Sequence, residues 1–314
     1  MALDHFVSQV HLRNFYAKEL NSRKMFAFRK VSGEAFLCGS EDVCRIDEGS
    51  TNPFLSEPRS LEDFLKGIEP RYNTACDHLA TGQFNAQDAQ VVAGFAAFVI
   101  GCSPTAMRLG SASLGGLALV ELLLLDRMGE IDPPPPEMGS NSLPDLLRSG
   151  KLYVTTDSKF PQALGISNII ELAHAFTTFH WEILLNQNSE RSPFLTSDFP
   201  AAIEDGQSNL INRIIPLRPD LALRIVPQIR PKGYINLKSD FRFRILKISP
   251  SEVTLVNRQI VRCAEHLIFS SVKRAWVARM VIQNSKSRME LNNTRTEKST
   301  GFLLLNRLSI VESG

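Results

Sequence analysis

Three polar side chains near the start of the chain, His5, Gln9 and Arg13, follow one another at intervals of four. On a helix that spacing places all three on one face. They would offer an imidazole tunable to either side of neutrality, an amide that donates and accepts, and a planar cationic fork. Such groups suit a base edge or a phosphate, and Asn14 stands beside them. Equally, His5 and Gln9 could simply tie the N-terminus to a sheet. A second candidate is Thr196-Ser197-Asp198, which ends a short apolar run before Pro200. A carboxylate at a strand end can be aimed into a cleft, to activate water or to stabilise a sugar-like cation. The same aspartate can instead cap backbone N–H groups in an Asx-type turn. Spacing makes these two nearly even. Ser197 lacks the Gly-x-Ser-x-Gly elbow of a nucleophilic serine.

Other chemistry is poorly supported. His174 and His180 are six apart, so on a helix they point in separate directions, and no His-Glu-x-x-His occurs. No metal is expected. Gly110, Gly115 and Gly116 sit in an apolar context without a following Lys-Ser/Thr, so no phosphate loop and no cofactor is expected. Arg262 and His266 would share a face of the last helix and read as a satisfied pair. The five cysteines have no zinc-like spacing and read as reduced, mostly buried thiols. With no basic stretch and apolar run at the N-terminus, the expected location is the cytoplasm.

A net charge of +2 says little; its distribution says more. Between Arg213 and Lys247 there are nine Lys/Arg against two acids, and from Lys273 to Lys298 seven against two. Arg213, Arg242 and Arg244 could hold backbone phosphates, and Tyr234, Phe241, Phe243 and Trp276 could stack on unpaired bases. A solvated strand face and a partly disordered tail explain the same charges.

The elements that must position these groups are strands at both ends around a helical middle. A hairpin is expected from Lys24–Arg29 and Glu34–Cys38, then an acidic loop over 41–62. The pattern turns helical from about Leu61 to Met128, with Asn85 as N-cap of the helix from Ala86 to Ile100. Residues 109–125 are almost long enough to cross a membrane, but Glu121 interrupts them and charges bound them, so a buried helix is expected and no membrane partner. Pro133–Pro136 break the pattern. Helix resumes at about Ser167 and runs through Leu185. Strands follow at 194–196, 213–217, 221–226 and 241–246, then a helix over 251–269 capped by Ser251. The order is that of an α+β fold. We expect one compact domain over 1–272, with a helical subregion at about 61–190, and a basic tail at 273–314.

The run His5-Phe6-Val7-Ser8-Gln9-Val10-His11-Leu12-Arg13-Asn14-Phe15 resembles the start of the mainly bacterial family called domain of unknown function 4238. Phe194-Leu195-Thr196-Ser197-Asp198-Phe199-Pro200 resembles its Phe-x-Thr-Ser-Asp-x-Pro motif, and Ile215-Pro216-Leu217-Arg218-Pro219 its Pro-Leu-[Ser/Thr]-Pro strand pair. The closing helix around Asn257 fits more loosely. Ser8 replaces the usual proline, Val10-His11 an aromatic pair, and Cys102-Ser103-Pro104 an Arg-Thr-Pro. The resemblance implies a role in phage defence directed at nucleic acid. The expected activity is a DNA glycosylase that excises a modified base from phage DNA and leaves abasic sites. In that scheme Asp198, His5 and Gln9 are catalytic, with His5 an acid. Arg13, Asn14, Thr196, Ser197, Arg213, Arg242 and Arg244 bind DNA, and no obligate protein partner is expected. A non-catalytic sensor working with an effector, and a nuclease or RNase toxin, are the alternatives.

Overall fold

A computed structural model describes residues 3–139, 142–206, 210–228, 241–298 and 301–312. The chain opens with β1 (Leu3–His5), α1 (Gln9–Arg13), β2 (Met25–Arg29), β3 (Ala35–Cys38) and β4 (Arg45–Asp47). Helices α2 (Ser60–Ile68), α3 (Tyr72–Thr81), α4 (Ala86–Cys102), α5 (Pro104–Met128), α6 (Leu143–Arg148), α7 (Lys159–Ser167) and α8 (Ile169–Thr178) fill the middle. Next come β5 (His180–Asn186), β6 (Thr196–Ser197), β7 (Ala202–Asp205), β8 (Ile211–Arg218), β9 (Leu221–Val226) and β10 (Arg242–Ile248). The end holds α9 (Pro250–Cys263), β11 (Leu267–Ser270), α10 (Ala275–Gln283) and the hairpin β12 (Ser287–Lys298) with β13 (Gly301–Glu312).

The architecture is α+β. One sheet, β3-β2-β11-β6, is antiparallel and joins the N-terminal hairpin to strands from the second half. The other, β10-β5-β9-β8-β7, is antiparallel except where β10 runs parallel to β5. Helix α4 is buried on nearly every side, which its all-round apolar sequence requires. It shares the largest core cluster with α3, α8 and the inner strands. Asn85 caps it by accepting from the N–H groups of Gln87 (2.8 Å) and Asp88 (3.1 Å), and Asp88 closes the capping box.

Four segments differ from the expectations. Residues 180–185 form β5 instead of extending α8. A central strand buried on both faces reads as a continuous apolar run, which periodicity cannot tell from helix. Helix α9 starts from Ser249, not Ser251, in a capping box with Glu252, and stops at Cys263. Leu267-Ile268-Phe269 then pair between β2 and β6, and His266 falls outside the helix, so it shares no helical face with Arg262. Helix α5 is not buried: Thr105 and Met107 are its buried residues, and none of its most apolar window is enclosed. Among the described residues it is the one helix long and apolar enough to cross a membrane. The stretch from 273 is ordered into α10 and the β12–β13 hairpin, with Met289 fully buried in the main core.

Candidate functional site

Strand β1 delivers His5, and α1 carries Gln9 and Arg13 one and two turns further on, so the three side chains do meet. Arg13 donates to Gln9 Oε1 at 2.8 Å, and Gln9 Nε2 approaches His5 Nδ1 at 3.4 Å. His5 Nε2 is 3.0 Å from the carbonyl of Ser40, an acceptor only, so that nitrogen carries the proton. Ser40 in turn donates its hydroxyl to Gln9 Oε1 at 3.3 Å and its N–H to Tyr16 at 3.0 Å. Burial lowers the pKa of His5 despite its hydrogen bond to Ser40. A neutral ring whose one proton is already donated makes His5 an acceptor rather than the expected acid.

His5, Gln9 and Arg13 line an open hollow of about 630 Å³, together with Asp4, Glu62, Lys66 and Glu69. Glu69, half-buried just before α3, is the group that sequence reasoning missed. Its Oε1 accepts from the Ser8 hydroxyl at 2.5 Å, while its Oε2 has no hydrogen-bond partner among the described residues. Ser8 and Glu69 are 61 positions apart, and no local pattern announces their contact.

The Thr-Ser-Asp turn meets the N-terminal motif through a different residue. His11 is fully buried, with Nδ1 2.8 Å from the Tyr72 hydroxyl and Nε2 2.9 Å from the Thr196 hydroxyl. Burial drives its pKa down to about 3, so it is a neutral strut. Asn257 on α9 holds the chain just upstream, accepting from Leu195 N–H and donating to the Pro193 carbonyl, both at 2.8 Å. Thr196 and Ser197 are wholly buried, and the Ser197 hydroxyl accepts from Phe199 N–H at 3.1 Å.

Asp198 is buried with both oxygens engaged. Oδ1 accepts from Glu265 N–H (2.9 Å), and Oδ2 from His266 (2.6 Å) and Leu267 (3.0 Å). Burial raises its pKa, and the three N–H groups pull the other way. Asp198 borders a small recess of about 160 Å³ with Arg108, Glu265 and His266, separate from the His5 hollow. Its oxygens fasten the start of β11, which leaves it poorly placed to activate water.

The expected DNA-binding residues scatter. Asn14 donates to Asn73 (3.0 Å) and to the Leu217 carbonyl (3.3 Å) and borders a different cavity from Gln9. Arg213 is half-buried in β8, and burial lowers its pKa to about 10, so it is no surface phosphate contact. Arg244 pairs with Glu182, which also takes Arg224 at 2.8 Å. Arg242 stands exposed on edge strand β10. Phe241 packs edge-on against Trp181 (5.0 Å) and Phe243 against Phe84 (4.6 Å), with Phe243 exposed. Tyr234 lies outside the described residues. All five cysteines are buried, and no group of three or more His, Cys, Asp or Glu among the described residues could hold a metal.

Comparison with protein-family models finds no match to this chain, and comparison with curated proteins and with solved structures finds none either. The likeness to the domain of unknown function 4238 family rests on the three sequence blocks quoted above.

Proposed function

We propose that the protein is a DNA glycosylase of bacterial phage defence, excising a modified base at the hollow formed by His5, Gln9, Arg13 and Glu69. The observation that carries this is the free Oε2 of Glu69, in the same hollow as a neutral imidazole, an amide and a guanidinium. A flipped nucleotide would enter there. Glu69 would accept a proton from water as the oxygen attacks the sugar carbon, and the bond from that carbon to the base nitrogen would break. The departing base takes the bonding electron pair. N–H groups of Gln9 and Arg13 would face the resulting anion, and His5 Nδ1 would accept from the base edge. Glu69 thus takes the part first assigned to Asp198. The phage-defence setting comes from the family resemblance.

A second reading, a nucleic-acid sensor without turnover, is favoured by the engagement of Asp198 with backbone alone. The test incubates the full chain with modified phage DNA and matched unmodified DNA. Mass spectrometry looks for free base, and alkali followed by a gel looks for abasic sites. The expected result is base released from modified DNA, lost in Glu69→Gln. Intact DNA with salt-sensitive binding retained supports the sensor, and strands broken before alkali support a nuclease.

A further inference from the structure

A cleft of about 340 Å³ lies between α9, α10 and the loop at Arg191, and it shares no lining residue with the His5 hollow. Three arginines line it: Arg191, Arg258 and Arg279, all exposed. Among the described residues no carboxylate lines it, and none of the three guanidiniums has an ion-pair or hydrogen-bond partner. Arg108, Arg218, Arg224 and Arg244, by contrast, each pair with an acid. Three like charges around one cleft repel one another, and an anion placed among them removes that cost.

Trp276 supplies a second, independent feature. It is half-buried, its inner part packed on the cluster under β2, and it also lines the cleft. Trp276, Arg279 and Gln283 recur at helical spacing on α10, as Thr254 and Arg258 do on α9, so each helix presents one polar face to the gap. A flat aromatic surface beside several guanidiniums and an amide is the pairing that stacks a base and grips its phosphate.

We propose that this cleft binds a nucleotide, with its phosphate among Arg191, Arg258 and Arg279 and its base against Trp276. The nucleotide is either one unit of a single strand or a free mononucleotide. The assignment does not depend on the activity proposed for the hollow.

The chain has two tryptophans, and Trp181 is fully buried, so quenching by an added ligand reports Trp276. The full-length protein is titrated with a single-stranded oligodeoxynucleotide, with AMP and with inorganic phosphate. Saturable quenching is expected, weakened tenfold or more in Arg258→Gln and in Arg279→Gln, and unchanged in Arg148→Gln, an exposed arginine on α6 outside the cleft. Trp276→Leu should remove the signal. For a strand, each arginine lost should reduce the log–log salt slope by about 0.7. Quenching by the oligonucleotide alone identifies a strand site; quenching by AMP, competed by phosphate, identifies a free-nucleotide site. Absence of quenching at low salt by both nucleic-acid probes, or quenching that survives both arginine substitutions, overturns the proposal.

Discussion

Asp198 is a buried carboxylate and Glu69 a half-buried one on an open hollow, and their hydrogen bonding separates them further. Asp198 stands in a motif and faces three backbone N–H groups that use both of its oxygens. Glu69 stands in no motif, and one of its oxygens, on a hollow, has no hydrogen-bond partner among the described residues. A short polar motif thus marks a carboxylate that matters without saying to what. Hydrogen-bonding capacity left over after folding is the better guide to chemistry, since a group already paired must break a bond before it can act.

The largest effect expected from this contrast is on stability. Asp198→Ala would leave the partly buried N–H groups of Glu265, His266 and Leu267 without their acceptor at the start of β11, each costing up to about 1–3 kcal/mol. Allowing for relaxation, the loss should be on the order of 3–5 kcal/mol in urea unfolding. Asp198→Asn keeps one acceptor oxygen and should fall between. A stable, fully folded Asp198→Ala protein that no longer releases base would erase the distinction between the two carboxylates.

His11 gives a pH signature to the same junction. Its folded pKa is about 3, against an unfolded value near 6.5. The unfolded chain therefore binds the extra proton between those values, and stability falls as pH drops from about 6.5 towards 3. The slope from this one group is at most about 1.4 kcal/mol per pH unit, and above pH 6.5 it contributes none. His11→Gln keeps a neutral polar side chain and should flatten that limb of the pH–stability curve. An unaltered limb in the variant would mean that His11 is not the group excluded from protonation.

Much of the frame was legible because it is local. The β2–β3 hairpin, the Asn85 cap and the all-apolar α4 follow from alternation, capping chemistry and composition. Strands β5 and β11 were not, because their neighbours decide them: β5 is set by β9 and β10, and β11 by β2 and β6. Helix α5 misled for the opposite reason. Its apolar sequence implies burial, yet no layer encloses its central part. In the site, the side chains of His5, Gln9 and Arg13 do meet, although His5 lies in β1 and not on the helix that the spacing supposed. Glu69 was invisible because its link to Ser8 exists only once α1 packs beside α3.

The smallest structural effect, and the sharpest functional one, is expected at Glu69. Glu69→Gln keeps an acceptor for the Ser8 hydroxyl and changes one hydrogen bond from charged to neutral, so stability should move by less than about 1 kcal/mol. A carboxylate that takes a proton in the transition state typically contributes 10²–10⁴-fold, and base release should drop by about that factor while DNA binding persists. Gln9→Ala should also leave folding nearly intact, because Arg13 is exposed, His5 is half-buried, and the buried Ser40 hydroxyl keeps its hydrogen bond from Tyr16. It should weaken binding of modified DNA more than unmodified DNA, since in the proposed scheme it removes a donor to the base and leaves phosphate contacts alone. Equal weakening of both DNAs would move Gln9 from base recognition to shaping the hollow, and Glu69 would then stand without a recognition partner beside it.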